Sequence, residues 1–187
     1  MQEKENILRI FEETREAIKT GDSARIKRLS DQTNNTASLT QDPDNIAVAV
    51  IVYSLSKILE REGYQKLPGW KNFYENYLNS INNIISALKK NDEVTVRKNL
   101  ESIRKSMEKI SGKLKEYIQD VFRKAQINKA SKIYEHGISM EQTAGLLGVT
   151  LFELAGYAGQ KPEISESPVN RTIDVKKRLK IAMEMFQ

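Results

Sequence analysis

The sequence predicts an all-α fold, and three observations support that prediction. Apolar residues recur at spacings of three and four positions along most of the 187 residues. Only nine glycines and four prolines interrupt them, which leaves long stretches without a helix breaker. Several stretches open with residues typical of helix N-termini. We expect a helical bundle over residues 1–125, and a helix-turn-helix module with a final amphipathic helix over residues 126–187.

The first helices follow from apolar stripes and their stop signals. Residues 3–20 form an amphipathic pattern that Gly21 ends, and Asp22 or Ser23 begins a short helix that reaches Leu29. Residues 30–41 are rich in Ser, Thr and Asn and have no periodicity, so a loop is expected there. The loop from Thr33 to Thr36 is better explained by side chains that bond their own backbone than by a ligand site.

The central helix of the bundle is expected to begin at Asp42-Pro43, an N-cap followed by a first-turn proline. Its residues Ile46 to Tyr53 are apolar on all sides, so other helices must surround it. After a loop over Gly63–Gly69, a helix is predicted from Trp70 to Lys89. Its aromatic residues could stack on bases, but their helical spacing favours the core; they are Trp70, Phe73, Tyr74 and Tyr77.

The longest helix is predicted from Glu93 to His136, because Val96 begins a heptad pattern that runs to Val121. Gly112 is its only interior breaker, and Gly137 ends it. A helix of this length would span roughly 66 Å. It would therefore link two lobes or offer its seam to a partner.

Two capping boxes follow, Ser139 with Gln142 and Thr150 with Glu153, and Gly148 lies between them. Two short helices joined by a glycine-containing turn are typical of a helix-turn-helix. Small or apolar residues are expected where these helices share a core with the preceding one: Ala144, Leu147, Val149, Leu154 and Tyr157. A final amphipathic helix is expected from Thr172, carrying Val175, Leu179, Ala182, Met183 and Phe186.

The module suits docking better than base reading. Of the outward positions near the start of its second helix, only Thr150 has a side chain suited to a base or phosphate contact. Glu153 would repel phosphates. Leu151 and Phe152 are expected to be exposed and to form a protein-contact or dimer interface.

The net charge of +5 arises within residues 93–135, which hold eleven basic and six acidic residues. One interpretation is a solvated helix face with ion pairs between neighbouring turns. The other is a ridge that follows nucleic-acid phosphates. The candidate nucleic-acid-binding residues are Lys105, Lys109, Lys113, Lys124, Lys129, Lys132 and Thr150.

Composition argues against catalysis. The chain has no Cys and one His, so it offers no disulfide, no cysteine zinc site and no His-pair metal site. His136 is expected at a helix C-terminus, where a cation meets the negative end of the dipole. No catalytic or cofactor-binding motif is present, and no cofactor, metal or membrane partner is expected.

Three functions are therefore considered for a cytoplasmic protein. The first is a non-catalytic nucleic-acid-binding regulator. The second is a ribosome-associated or other RNA-associated factor that binds rRNA and dimerises or contacts a ribosomal protein. The third is a protein-interaction adaptor. The weak base-reading face favours the second over sequence-specific DNA binding.

Two stretches resemble a set of uncharacterised archaeal all-helical proteins with an antitoxin-like helix-turn-helix near the C-terminus. They are residues 46–61, and residues 129–139 with the module that follows. Together they cover about a third of the chain. The resemblance implies an all-helical architecture and an archaeal cytoplasmic setting, and it implies no activity.

Overall fold

The structure, a computed structural model, describes residues 1–159, and these residues form α-helices and no strand. The predicted all-α fold is confirmed. No helix within this range is long and apolar enough to cross a membrane. Short 3-10 segments occupy Glu62–Lys66 and Met107–Lys109. The helices are α1 (Lys4–Lys19), α2 (Ser23–Thr40), α3 (Pro43–Leu59), α4 (Trp70–Lys89), α5 (Glu93–Ser106), α6 (Gly112–Glu135), α7 (Met140–Leu147) and α8 (Leu151–Gly159).

α3 lies at the centre of the bundle, as its apolar sequence predicts. The Asp42 carboxylate accepts a hydrogen bond from the backbone N–H of Asp44 at 2.8 Å, and Pro43 occupies the first turn. α1, α2, α5, α6 and α7 all pack against α3. Both Val48 and Val52 are fully buried. Because α3 is enclosed, the helices around it carry the surfaces available to partners.

The prediction of a loop over residues 30–41 is wrong, because α2 continues to Thr40. Its hydroxyl side chains bond carbonyls within their own helix, as Ser38 does to the Asn34 oxygen at 2.7 Å. Ser30, Thr33 and Ala37 form a buried face along this part of the helix. The extensive packing of α2 against α3 outweighs the weak helix propensity of these residues.

The predicted 44-residue helix is also wrong, because the chain breaks between α5 and α6. Ile110 has extended backbone angles and Gly112 takes a φ of +56°. The break lets α5 pack on α4 while α6 packs on α3. The heptad seam is buried in the chain's own core, with Val96 and Leu114 at most 1% exposed. It is therefore not a partner interface.

The aromatic residues of α4 belong to the core, as predicted. Trp70 and Phe73 are buried, and Tyr77 is fully buried with its hydroxyl donating to the Ile51 carbonyl at 2.6 Å. Tyr74 stacks on Trp70 with ring centroids 5.4 Å apart. These rings do not form a surface platform for bases.

α6 joins the bundle to the last two helices. The Tyr117 hydroxyl donates to a carbonyl of α3 at 3.2 Å, and Gln126 donates to the Leu147 carbonyl of α7 at the same distance. The boundary predicted between residues 125 and 126 falls inside this helix. α6 ends at Glu135 with His136 as its C-cap, one residue before the predicted end. The helix predicted from Thr172 lies outside the described residues.

Candidate nucleic-acid and protein interfaces

Five of the six lysines predicted to hold phosphates are exposed, but they do not form one continuous row. Lys105 lies near the end of α5, Lys109 in the 3-10 turn and Lys113 at the start of α6. Lys124 and Lys132 follow further along α6. Because the chain changes direction between Ile110 and Gly112, a ligand cannot follow these lysines along a single helix face.

The prediction that Lys129 holds phosphates on the surface is wrong, because this lysine is fully buried. Its Nζ donates to the Ser30 carbonyl and to Asp31 Oδ1, both at 3.2 Å, and lies 4.8 Å from the centroid of the Tyr53 ring. This position of α6 faces α2. Loss of hydration lowers the pKa of Lys129 to about 8, although Asp31 partly opposes that change. Lys129 therefore fixes α6 against α2 and cannot contact a surface ligand in this conformation.

The exposed lysines differ in their ion pairing. Three of them pair with acids on their own helix: Lys105 with Glu101 at 3.7 Å, Lys124 with Asp120 at 2.8 Å and Lys132 with Glu135 at 3.2 Å. Exposed pairs of this kind contribute at most about 1 kcal/mol. Within residues 1–159, Lys109 and Lys113 have no carboxylate within ion-pairing distance. These two lysines are therefore available to an anionic partner.

The two short C-terminal helices begin where the capping boxes predict. The Ser139 hydroxyl accepts from the backbone N–H of Gln142, and the Thr150 hydroxyl accepts from that of Glu153, both at 3.2 Å. The Glu153 carboxylate accepts from the Thr150 hydroxyl at 2.6 Å. Thr150 is therefore engaged in its own helix cap, and its predicted contact with nucleic acid would have to break that bond. Gly148 forms the turn with a φ of +64°.

Arg123 of α6 holds this helix pair in place, and sequence reasoning did not single it out. Its guanidinium donates to Glu153 at 2.6 and 2.9 Å and to the Gly148 carbonyl at 2.9 Å. These bonds, with those from Thr150, lower the pKa of Glu153 to about 2. The arginine neutralises the one charge on α8 that would repel phosphates.

The outer face of α8 is apolar, as expected. Phe152 is 88% exposed and Leu151 46% exposed, and Ala155 and Gly156 are exposed beside them. Tyr157, predicted to be in the core, is instead 42% exposed, and its hydroxyl accepts a bond from Asn128 at 3.1 Å. α8 carries no basic residue, so this face suits a protein partner better than a phosphate backbone.

An apolar groove of about 600 Å³ lies between α3, α5, α6 and α7. Arg97 and Arg104 stand at its rim, but they donate to Asp44 and Glu101, each at 2.8 Å. The groove thus presents apolar walls beside charges that are already paired. In the part of the chain that the structure describes, no three acidic or histidine side chains are grouped to hold a metal.

A polar surface between α4 and α5, here called the α4–α5 groove, was not predicted. It consists of two pockets of about 390 and 370 Å³ that share no lining residue, and asparagine side chains line both. A sequence signal for it exists, since the α4 asparagines recur at helical spacing: Asn72, Asn76, Asn79 and Asn83. Whether these asparagines line a groove depends on which helix packs beside α4, and the sequence pattern does not identify that helix.

Comparison of the chain with known proteins gives no match to a family model, to a curated protein or to a solved structure. The resemblance to archaeal helix-turn-helix proteins therefore stays a prediction.

Proposed function

We propose that this chain is a non-catalytic regulatory protein that binds nucleic acid, with rRNA or DNA as the partner. One observation carries the proposal. Lys109 and Lys113, on either side of the break between α5 and α6, are exposed and have no acidic partner within the described residues. Lysines in this state release counterions when they meet phosphates, which is the main source of sequence-independent affinity.

The partner's backbone, rather than its base sequence, is what these lysines contact. Phosphate contacts position a protein but carry no sequence information directly. The exposed start of α8 offers Leu151 and Phe152 where a DNA-reading helix has polar side chains. The proposal therefore needs no operator sequence, and it agrees better with RNA or ribosome association than with a sequence-specific DNA regulator.

The test is a titration of structured RNA and duplex DNA at two salt concentrations. Each phosphate contact contributes roughly 0.9 to the slope of log K against log salt on duplex DNA. Replacing Lys109 and Lys113 with glutamine should lower that slope by about 1.8. Lys19, 63% exposed at the end of α1, gives a control variant that should leave the slope unchanged. Absence of binding to both nucleic acids would refute the proposed function.

A second candidate function, self-association, rests on the 88% exposure of Phe152. Together with Leu151 it forms an apolar surface on α8, and the one charged residue of that helix, Glu153, is already paired with Arg123. A second copy could approach it without charge repulsion, and a ribosomal protein is the alternative partner.

Analytical ultracentrifugation distinguishes these cases. The wild-type chain should be a dimer and Phe152→Ser a monomer, while Leu39→Ser, at another exposed apolar site, should remain dimeric. A monomeric wild type would rule out the second copy as the occupant.

A further inference from the structure

The groove between α4 and α5 carries unused hydrogen-bonding groups along its α4 side. Asn72, Asn76 and Asn79 are exposed, and within residues 1–159 no hydrogen bond engages their side chains. At positions four and three apart they project from one face of α4. Each amide offers two donors and one acceptor oxygen. The row therefore matches a ligand that presents polar groups at intervals along an extended path.

The two helices face each other across this groove at close range. Asn83 of α4 donates to Asn99 of α5 at 3.2 Å, and the Asn99 amide donates onward to the Thr95 carbonyl at 2.8 Å. Both asparagines line the 390 Å³ part of the groove, where this contact joins the two helices. Asn72, Asn76 and Asn79 line the other part and take no part in the contact.

Lysines stand along the α5 side of the groove. Lys98 lines one part and Lys109 the other, and neither has an acidic partner among the described residues. Lys90 also lines the first part, and two carboxylates line the groove, Asp92 and Glu75. Asp92 accepts the backbone N–H of Thr95 at 3.0 Å, which leaves its charge in place, and Glu75 lies 4.0 Å from the ammonium of Lys71. Three lysines against two carboxylates give the lining of the groove a net charge of +1.

We propose that the α4–α5 groove binds a single-stranded polynucleotide, with Lys98 and Lys109 on its phosphates and the amides of Asn72, Asn76 and Asn79 on its sugars and base edges. The inference rests on the proposed nucleic-acid function and names its site. Base edges carry hydrogen-bond donors and acceptors that match those of asparagine amides. These edges are free for such contacts when the strand is unpaired. A neutral oligosaccharide would leave the lysines without a partner.

The experiment measures fluorescence anisotropy of a labelled oligouridine of about 15 nucleotides, a length within the range of single-strand sites. Asn76→Ala should weaken binding roughly fivefold, as expected for one lost hydrogen bond, without changing the salt slope. Asn82→Ala is the matched control, since Asn82 is exposed on α4 but does not line the groove. Replacing Lys98 and Lys109 with glutamine should lower the slope by about 1.4 on a single strand.

The possible results distinguish failure of the groove as the binding site from failure of the proposed nucleic-acid-binding function. If the wild type binds oligouridine but Asn76→Ala behaves like Asn82→Ala, the groove is not the site, although nucleic-acid binding stands. If the wild type binds no nucleic acid, the proposed function fails as well. Tighter binding of a duplex, or equal binding of an acidic peptide or a neutral oligosaccharide, would overturn the assignment to single strands. Both alanine variants should fold, because alanine has the higher helix propensity.

Discussion

Replacing Lys129 with methionine should stabilise the protein at neutral pH and remove most of its stability change between pH 8 and 9.5. The ammonium of Lys129 is fully buried between α2 and α6, where it contacts Asp31, the Ser30 carbonyl and the Tyr53 ring. Lost hydration lowers its pKa to about 8, Asp31 raises it in part, and the nearby Lys27 and Lys132 lower it further. Methionine has a similar length and no charge.

The magnitude follows from the difference between the folded and ordinary pKa values of Lys129, about 8 and 10.5. Below pH 8 both states are protonated and the folded state carries the whole penalty, ~3 kcal/mol. Between pH 8 and 10.5 the unfolded state binds more protons than the folded state, so the free energy of unfolding rises with pH. Near pH 9.5 it should be ~2 kcal/mol higher than below pH 8. The Asp31 side chain is 49% exposed, so the loss of its partner leaves no buried charge. Removing the Lys129 ammonium should therefore give a net gain of about 1–3 kcal/mol at pH 7.

The assay is urea unfolding at pH 7 and at about pH 9.5, with Lys124→Met as the control, because Lys124 lies on the same helix and is 70% exposed. The difference between Lys129→Met and wild type should shrink as pH rises. Tyr53, which faces the ammonium, has a pKa raised to about 12 by burial and titrates above this window. A methionine variant that is less stable than wild type at pH 7, with an unchanged pH dependence, would show that the buried ammonium does not destabilise the fold.

Three further predictions concern local features. Gly112→Ala should destabilise by ~1 kcal/mol in urea unfolding because of its φ of +56°, whereas Gly63→Ala should change little. Asp42→Ala should cost about 1 kcal/mol through its lost cap; no loss in the same assay would contradict that role. The Arg123–Glu153 pair should contribute fully above pH 4.5 and weaken as the pH falls through about 2. Hydrogen exchange in α8 should therefore become faster near pH 2 in the wild type but not in Glu153→Gln.

Local signals were sufficient wherever the stabilising bonds join neighbouring residues. The caps at Asp42, Ser139 and Thr150 each accept a backbone N–H two or three positions away, so the sequence contains all that is needed. The α4 stripe is similar, since an amphipathic face is visible in the pattern itself. These features predicted α3, α4, α7 and α8 close to their observed bounds.

The failures all depend on contacts between distant parts of the chain. Residues 30–40 have weak helix propensity, and only their packing on α3 makes them helical. The heptad pattern continues across the break at Gly112 because α5 and α6 bury their stripes in the same core. No local feature of the sequence distinguishes Lys129 from a surface lysine, because its burial depends on the packing of α2 against α6. The α4–α5 groove likewise exists only once two polar rows are brought together.

Nucleic-acid binding in the α4–α5 groove can be tested by photo-crosslinking of a 4-thiouridine oligonucleotide to the wild-type chain, with the crosslinked peptides identified by mass spectrometry. We expect crosslinks within residues 72–109, on α4, on α5 and in the turn that follows them. Their yield should fall in the Lys98 and Lys109 variant and should fall with added salt. Crosslinks confined to α7 and α8, or none above the level of an acidic competitor peptide, would show that the α4–α5 groove is not a nucleic-acid site.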